Sequence, residues 1–556
     1  MIKFIIIVTI VINNHHAKMK LMPLLALVIS SGLLRSGQSL SGPALCSSRS
    51  RSTISRLFAK REKYNPFSSM LGQMASSILG GSKGKGPSTN PSGLDSTLEE
   101  LGTSWEHVQA TLQGLQTSQE RQFRANLDKG FGAASPLHKV RLYDESNKEE
   151  DIRVTFYRDS ASWCPYCQKV WMCLEEMKIP YKIEKVNMNC YGEKPASFLA
   201  IQRSGNIPVA VIDGKVFGQS NDIIYVLDQI FTDRKSLRPK EGDEMEAQKL
   251  LRLERQIFSA WMYWLTGDND PDRYRSAFIA SLKEVEAALK ARGPFFMGND
   301  VTLVDFMFMP FLERMCASLL YYKGFMMRVP KGTKNDYPAL NKWFDTMETL
   351  ESYQLTKSDY YTHCWDLPPQ LGGCSYEPAG EPFEKAINGE LSLDGTQTSW
   401  SIPLQPHNGG VEPDWTWAGD DSMACREAVE RMSFNHDAIV KFAARGAGKK
   451  GFRAYAAPLA DPMAIPNDIV QNGVSAVLSI VCMAMLEGHQ NHDVTMDQMA
   501  KAILQDGGDE YMQGVVDSLA YLRDRVGVPR DMRLPAAQQL RAHLNWAIVK
   551  IKATSL

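Results

Sequence analysis

The stretch Ser162-Trp163-Cys164-Pro165-Tyr166-Cys167 decides the fold, because it stands where a short strand gives way to a helix. Residues 152–157 before it alternate and are rich in β-branched side chains, which is typical of a strand. Apolar residues recur at helical spacing from 170 to 177, and Pro165 suits the first turn of a helix. Cys164 is therefore predicted at a helix N-cap, where the helix dipole and unpaired N–H groups stabilise a thiolate. We predict a reactive cysteine at this position.

Length and composition indicate a soluble globular protein of three or four units, since 556 residues exceed one hydrophobic core. Hydrophobic residues make up 44% of the chain and charged residues 22%, which is ordinary for this class. Residues 1–61 contain nine Lys or Arg and no Asp or Glu, so the remainder carries a net charge of about −10. This mild acidity gives no reason to expect nucleic acid as a partner. Ten scattered cysteines favour a reducing compartment over a disulfide scaffold.

The N-terminal residues 1–61 are predicted to be a targeting presequence. Their apolar runs, at 4–12 and 21–34, fall short of the roughly 18–20 residues of a membrane span, and the second resembles a signal-peptide core. Residues 46–60 are rich in Ser and Arg and free of acids, like a transit peptide. The combination resembles the bipartite presequence of algae whose plastids lie inside extra membranes. Import into a plastid (chloroplast) is therefore expected, with simple secretion as the alternative.

The next two segments are predicted to connect the presequence to the body of the protein. Residues 62–93 are rich in Gly, Ser and Pro, which predicts a flexible linker. Residues 94–149 contain apolar positions spaced by three and four between 98 and 115, which predicts one amphipathic helix followed by a connector. We expect this helix to pack on the rest of the chain.

Residues 150–235 are predicted to form an α/β domain around the cysteine motif. A strand at 181–187, a short helix at 195–203, a strand at 206–212 and a hairpin return at 215–217 follow the cysteine helix. Gln219-Ser220-Asn221 opens a last helix that ends at 230. The order βαβαββα, with a proline before the third strand, resembles the thioredoxin/glutaredoxin fold. Its βαβ start implies a parallel pair of strands.

Residues 240–366 are predicted to be all-helical. A long amphipathic helix covers 250–264, and Thr302 and Asp305 form a capping box, so Asp305 is interpreted as a folding residue. The aromatic residues Trp261, Tyr263 and Trp264 could line an apolar acceptor pocket, but aromatic residues at helical spacing more often belong to a core.

Residues 370–556 form a C-terminal extension that is predicted to be mostly helical. Helices are expected at 424–445, 469–486, 496–504, 511–526 and 536–551, with a capping box at Thr495 and Gln498. The apolar run 474–486 is too short to span a membrane, so stable membrane insertion is not expected. His489, His492 and Asp493 leave a metal site open, although such a pair is usually solvated and no metal is expected. Nothing in this extension indicates a function.

The whole arrangement resembles the cysteine-containing glutathione transferases, and among these the iota class of photosynthetic organisms. The resemblance covers residues of about 140–556 and rests most strongly on the motif 163–167, Ile207-Pro208 and Gln219-Ser220. It implies an α/β thioredoxin-like domain, then an all-α transferase domain, then an additional C-terminal domain of unknown role. Tyr166 departs from the Trp that iota members typically carry, an aromatic change that leaves the chemistry intact.

The resemblance also implies glutathione as co-substrate and a set of residues that bind it. Pro208 matches the cis-proline of the family, Gln219-Ser220 matches the pair that holds the γ-glutamyl end at a helix N-terminus, and Lys194 matches a lysine that reaches the glycine carboxylate in several members. The expected glutathione-binding residues are Pro165, Tyr166, Lys194, Ile207, Pro208, Gln219 and Ser220. The expected catalytic residues are Cys164 and, as an optional resolving thiol, Cys167.

The function implied is glutathione-dependent thiol transfer to a glutathionylated or oxidised small molecule or protein. The Cys164 thiolate would form a mixed disulfide with glutathione, which a second glutathione or Cys167 would resolve. Alternatives are reduction of dehydroascorbate or a quinone by the same cysteine, a non-catalytic interaction protein with the same fold, and iron–sulfur binding by Cys164 with glutathione. Zinc is disfavoured because no second Cys pair stands at ligand spacing. The resemblance leaves a homodimer open.

Overall fold

The computed structural model describes residues 93–330, 332–404, 411–412, 421–455, 457 and 459–554. The predicted presequence at 1–61 and all but the last residue of the predicted linker at 62–93 lie outside these residues.

Three helices precede the α/β domain: α1 (Gly93–Glu100), α2 (Trp105–Leu115) and α3 (Ser118–Leu127). The prediction of a single amphipathic helix over 98–115 is wrong, because the helix is interrupted between α1 and α2. Gly102 has a φ of 65°, which a glycine adopts readily, and the Ser104 side chain accepts a hydrogen bond from the backbone N–H of His107 at 3.3 Å. Ser104 therefore caps a new helix at this point.

The thiol domain is a five-stranded sheet with three helices. Its elements are β1 (Val140–Arg141), β2 (Val154–Asp159), α4 (Pro165–Glu176), β3 (Tyr181–Val186), α5 (Ala196–Ile201), β4 (Val209–Ile212), β5 (Lys215–Phe217) and α6 (Ser220–Ile230). The strand order is β1-β3-β2-β4-β5, with β2 and β3 parallel and the other pairs antiparallel. The predicted thioredoxin-like α/β fold is confirmed. Only β1 is additional, since a two-residue strand leaves no alternating pattern in the sequence.

The sheet register determines what lies beside the cysteine motif. Tyr157 of β2 pairs with Val209 of β4. Because this pair is antiparallel, Ile207-Pro208 lies opposite the carboxyl end of β2, from which the chain runs into the motif. The Ile207–Pro208 peptide bond is cis, as the resemblance implies.

The helical domain consists of α7 (Glu244–Thr266), α8 (Pro271–Arg292), α9 (Leu303–Lys323), α10 (Pro338–Met347), α11 (Glu351–Gln354), α12 (Tyr360–Leu371) and α13 (Glu381–Ile387). The capping box of Thr302 and Asp305 is confirmed, and Asp305 Oδ1 also accepts a hydrogen bond from Trp343 Nε1 at 2.9 Å. Trp261 and Trp264 are buried in the core, while Tyr263 is exposed. Helix α12 runs past the predicted boundary at 366.

The C-terminal region contains α14 (Asp421–Phe434), α15 (His436–Ala443), α16 (Gln471–Glu487), α17 (Asp493–Arg523) and α18 (Leu534–Thr554). The helix predicted at 424–445 is broken at Asn435, whereas the two predicted at 496–504 and 511–526 are joined in α17 with a non-helical residue at Gly508. The predicted capping box of Thr495 and Gln498 is wrong. Helix α17 begins at Asp493 after a 3₁₀ turn, so Thr495 already lies inside its first turn.

One apolar core joins the C-terminal region to the N-terminal helices α1 and α2. Trp105, Val108 and Leu112 of α2 belong to the same buried cluster as Val477 of α16 and Leu519 of α17. The segment Asp468–Glu487 is long and apolar enough to cross a membrane by composition alone, but 72% of its most apolar window is buried in this core. The N-terminal helices therefore complete a domain whose other helices lie more than 300 residues later in the chain.

Candidate active site

The two motif cysteines lie at the start of α4, which begins at Pro165. Cys164 occupies the N-cap position with φ −56° and ψ 121°, and its side chain makes no capping hydrogen bond to the helix. Cys164 is 7% exposed, whereas Cys167, one turn into the helix, is 1% exposed. The helix therefore presents Cys164 at its positive end and buries Cys167 behind it.

The loop that carries Cys164 is fixed by the carboxylate of Asp159. Its Oδ2 accepts hydrogen bonds from the backbone N–H groups of Trp163, at 2.5 Å, and Cys164, at 3.0 Å. The neighbouring Arg158 is fully buried and donates from Nη1 to the Ser162 hydroxyl at 2.7 Å. These contacts satisfy buried backbone groups of the loop and hold Cys164 at a defined position.

Three cations surround the thiol of Cys164: Lys169 of α4, Lys194 before α5 and Arg314 of α9. The charge of an ionised Cys164 favours the protonated form of each of them. Burial nevertheless lowers the pKa of Lys169 to about 8. The surroundings of Cys164 therefore include three positively charged side chains.

The environment of Cys167 favours its neutral thiol. Burial raises the pKa of Cys167 well above its usual value, and its hydrogen bond with Cys164 and the charge of Cys164 act in the same direction. Cys167 therefore stays protonated beside Cys164.

The predicted glutathione-binding residues lie on both sides of the motif. Lys194 Nζ donates to the backbone carbonyl of Asn187 at 2.5 Å and interacts electrostatically with both motif cysteines. Gln219 is the N-cap residue of α6, Ser220 is the first residue of that helix and is buried, and neither side chain caps it. Among the described contacts, none joins Gln219 or Ser220 directly to the cysteines.

Helix α6 is held beside α4 by a contact next to this pair. Asn221 Oδ1 accepts a hydrogen bond from Lys169 Nζ at 2.8 Å. Because Lys169 also interacts with Cys164, this bond brings the N-terminus of α6 towards the charged surroundings of the cysteine. A helix N-terminus with unused side-chain donors can accept a carboxylate.

Tyr166 faces the helical domain. Its hydroxyl is hydrogen-bonded to Arg255 of α7, and its ring meets Phe311 of α9 edge-on with 5.6 Å between the ring centroids. Burial raises the pKa of Tyr166 to about 12, so this hydroxyl remains protonated at neutral pH. Tyr166 therefore forms part of the wall between the thiol domain and α7.

A buried polar network behind the motif was not predicted from the sequence. Arg314 Nη1 donates to Gln168 Oε1 at 2.9 Å, and Arg314 Nη2 donates to the backbone carbonyl of Trp163. Gln168 Nε2 donates to Glu313 Oε2 at 2.9 Å. An adjacent Glu-Arg pair within the apolar sequence of α9 is the one signal that could have revealed it, because buried charges need partners.

His363 of α12 closes this network. Trp163 Nε1 donates to His363 Nδ1 at 3.0 Å, so Nδ1 must be unprotonated, and Nε2 donates to Glu313 Oε1 at 2.9 Å. Burial and the charge of Arg314 lower the pKa of His363, which agrees with a neutral ring. Burial alone would raise the pKa of Glu313, but His363 and Arg314 together lower it. The indole beside Cys164 is thus held by a neutral histidine and an ionised carboxylate.

Two other features of the described residues lie away from the cysteines. A cavity of about 810 Å³ is lined by Tyr361 and Trp365 of α12 and by residues of α18, and none of the predicted site residues lines it.

No group of three or more His, Cys, Asp or Glu side chains in the described part of the chain could hold a metal ion. His492 instead meets Glu487, with 3.0 Å between Nε2 and Oε2.

Comparisons with known proteins agree with this architecture. Residues 163–230 match the glutathione S-transferase N-terminal domain, and residues 271–346 match the glutathione S-transferase C-terminal domain. The chain is 29% identical over 196 residues to glutathione S-transferase DHAR2 of Arabidopsis thaliana, covering 35% of this chain and 84% of that protein. It is 28% identical over 199 residues to glutathione S-transferase L1 of the same plant, covering 35% of this chain and 79% of that protein.

A solved structure, that of Chlamydomonas reinhardtii dehydroascorbate reductase, aligns with 38% of this chain and 94% of that one at 23% identity, with a TM-score of 0.31. The two family matches fall on the thiol domain and the helical domain, and both end before the C-terminal region begins. The sequence matches support the glutathione transferase family, and the chain combines a glutathione S-transferase N-terminal thioredoxin-like domain and helical C-terminal domain with an additional C-terminal helical region.

Proposed function

We propose that the protein is a glutathione-dependent thiol transferase in which Cys164 is the nucleophile. The observation that carries the proposal is the placement of Cys164 at the N-terminus of α4, slightly exposed and surrounded by Lys169, Lys194 and Arg314. A helix N-terminus and nearby cations both favour a thiolate, which is the reactive form in disulfide exchange.

In the proposed reaction the Cys164 thiolate attacks the glutathionyl sulfur of a mixed disulfide. A disulfide forms between Cys164 and glutathione, the original disulfide breaks, and the acceptor leaves as a thiolate that takes a proton. A second glutathione thiolate then attacks the glutathione sulfur bound to Cys164, which releases the Cys164 thiolate and oxidised glutathione. Overall, the mixed disulfide and one free glutathione give the acceptor thiol and oxidised glutathione, so the acceptor sulfur is reduced while the sulfur of the incoming glutathione is oxidised.

Glutathione would bind with its two carboxylates on opposite sides of Cys164. The N-terminus of α6, with Gln219 and Ser220, suits the γ-glutamyl end, and Lys194 suits the glycine carboxylate. The backbone of Ile207 lies opposite the end of β2 and would pair with the peptide backbone of the ligand. Pro165 and Tyr166 would line the same cleft beside the thiol.

We also propose the class of transferase and the cellular location of the protein. The Cys-Pro-Tyr-Cys motif supports the cysteine-type transferases, and the additional C-terminal region supports the iota class in particular. The Ser- and Arg-rich sequence before residue 61 supports import into a plastid.

The test is the rate of reduction of a mixed disulfide between glutathione and 2-mercaptoethanol. Cys164→Ser should lower kcat/KM by at least about 10³-fold, because a serine hydroxyl is not ionised at neutral pH. Cys425→Ser is a matched control, since Cys425 is also 7% exposed but lies within α14. It should retain full activity. Activity retained by Cys164→Ser would overturn the proposal, and a wild type that reduces only dehydroascorbate would favour that substrate for the same cysteine.

A further inference from the structure

Helix α12 contacts the thiol domain through three of its side chains. His363 accepts the hydrogen bond from the Trp163 indole at 3.0 Å. One turn later, Asp366 accepts a hydrogen bond from the Tyr191 hydroxyl. Another turn along the helix, Gln370 contacts Cys190. The helix thus forms part of the surface against which the loop that carries Cys164 is packed.

The beginning of the same helix is held by the C-terminal region. Arg541 of α18 donates from Nη1 to Asp359 Oδ2 at 2.6 Å and from Nη2 to the backbone carbonyl of Val526 at 2.6 Å. Asp359 Oδ1 accepts the backbone N–H of Thr362 at 2.9 Å, so Asp359 is also the N-cap of α12. Asp359 and Arg541 are at most 1% exposed.

Further contacts reinforce this junction between α12 and the chain that leads from α17 to α18. The Ser358 hydroxyl donates to the backbone carbonyl of Val528, and the Tyr361 hydroxyl donates to the carbonyl of Asp524 at 3.0 Å. Ser358 N–H also donates to Glu313 Oε1 at 2.8 Å, the same oxygen that contacts His363. The junction and the Trp163 network therefore share Glu313.

We propose that Arg541 is a positioning residue for Cys164, and that the C-terminal region keeps the cysteine reactive by holding α12 through the Arg541–Asp359 ion pair. The inference rests on the proposed function, because it takes Cys164 as the reacting thiol. The path has two buried steps. Arg541 fixes Asp359 and with it the first turn of α12, and His363 in that turn fixes Trp163, whose backbone carbonyl and N–H set the geometry of the adjoining Cys164.

The physical reason is the sensitivity of a helix N-cap to small displacements. The stabilisation of a thiolate by a helix end falls off within one turn, and the attraction exerted by Lys169 and Arg314 weakens as their distance from the thiolate grows. If Trp163 loses the support of His363, Cys164 samples positions in which these interactions are weaker. Loss of the ion pair should therefore reduce the reactivity of Cys164 even though Arg541 does not contact it.

The test is the alkylation rate of Cys164 by iodoacetamide, measured from pH 5 to 9 by mass spectrometry of its peptide in the full-length chain. Asp359→Asn keeps a good N-cap residue but removes the charge, and Arg541→Gln removes the cation. Both should slow alkylation at pH 7 by about tenfold and move the midpoint of the pH profile upward. The double variant should be no slower than either single variant, because the two residues act as one unit. Arg541→Lys should recover part of the rate.

Arg533→Gln is the control, since Arg533 pairs with Glu427 inside the C-terminal region, with 2.7 Å between Nε and Oε2. It should leave the profile unchanged. An unchanged profile in both Asp359→Asn and Arg541→Gln would overturn the inference. Should both fail to fold, Ser358→Ala removes a contact of the junction without removing a charge, and an unchanged profile there would also overturn it. Alkylation does not require turnover, so a shifted profile in a protein without disulfide-exchange activity would contradict the proposed function alone.

Discussion

The thiol domain and the C-terminal region each contain a cysteine that is 7% exposed. The two cysteines differ in their position within a helix and in the residues around them. Cys164 is the N-cap residue of α4 and lies among cations from three parts of the chain. Cys425 lies inside α14 and belongs to an apolar core with Val477 and Leu519. The exposed fraction therefore does not distinguish the two thiols, whereas their positions relative to a helix end do.

The same contrast extends to the charged residues of the two regions. Around the motif, Lys169, Lys194 and Arg314 all interact with one thiol. In the C-terminal region, Arg541 and Arg533 each have a carboxylate partner, and one of those partners lies outside the region, on α12. The cations around the motif share one thiol, whereas the two arginines of the C-terminal region each form an ion pair.

The largest effect is expected at Glu313 of α9, which joins the thiol domain to the helical domain. Its carboxylate contacts Gln168, His363 and the backbone of Ser358 and is buried. Glu313→Gln should lower the free energy of unfolding by about 3 kcal/mol, since it removes the charge of a buried, fully partnered carboxylate. Urea denaturation measures this. Glu381→Gln, at an exposed pair with Lys385, is the control and should cause no measurable change, and an equal loss in both would contradict a special role for Glu313.

Acid should destabilise both regions through buried neutral histidines. Burial lowers the pKa of His138, beside β1, to about 3 and that of His543, in α18, to about 4. In the unfolded chain each histidine takes up a proton below pH of about 6.5, so stability is present above that pH and is lost as the pH falls towards the folded-state pKa. Each histidine should lower the free energy of unfolding by about 2 kcal/mol as the pH falls from about 6.5 to about 4.5.

Variants at these histidines show which region acid affects. His138→Gln and His543→Gln should each flatten the dependence of the urea midpoint on pH, and the double variant should flatten it further. A pH dependence unchanged in both single variants would contradict neutral, buried rings at these positions. His363 has a lowered pKa as well and should contribute in the same direction.

Lys194 should affect the binding of glutathione more than the chemical step. Lys194→Met removes the cation proposed for the glycine carboxylate, and a hydrogen bond to a charged group contributes about 1.5–3 kcal/mol, so the KM for glutathione should rise about tenfold or more. The exposed Lys182 of β3 provides the control Lys182→Met, which should leave KM unchanged. A fall in kcat with constant KM would instead show that Lys194 acts mainly on the Cys164 thiol and not on the glycine carboxylate.

The smallest effect is expected at Cys167. Because its thiol is buried and its raised pKa keeps it protonated, Cys167→Ser should lower the exchange rate by less than about fivefold. The steady-state assay with the glutathione mixed disulfide measures this. A loss of about 100-fold would show that Cys167 resolves the mixed disulfide, and the reaction would then use both thiols.

The thiol domain could be predicted from the sequence because its signals are local. The strand before Cys164, the proline in the first turn and the hairpin at Asp213-Gly214 each depend on adjacent residues. The proline and the hairpin lie at the predicted positions, and the strand is shifted by two residues. The contacts that Arg314 and His363 make with Trp163 could not be predicted, because they connect residues 151 and 200 positions apart. Distant side chains leave no periodic pattern in the sequence.

The C-terminal region was predictable as helical but not in its breaks or its role. The apolar pattern looks continuous across Asn435, but the helix is interrupted there. The patterns on either side of Gly508 look separate, but one helix contains both, with a non-helical residue at Gly508. The core that α2 shares with α16 and α17 depends on tertiary contacts, and so does the ion pair between Asp359 and Arg541. The Arg541–Asp359 ion pair, and not the local sequence pattern, links this region to helix α12.

Whether Cys164 alone carries glutathione is tested most directly by peptide mass spectrometry of the purified full-length protein after brief exposure to oxidised glutathione at neutral pH. We predict a glutathione adduct on Cys164, none on the equally exposed Cys425, and no adduct at all in Cys164→Ser. An adduct found mainly on another cysteine, or one that persists in Cys164→Ser, would contradict the assignment of Cys164 as the nucleophile.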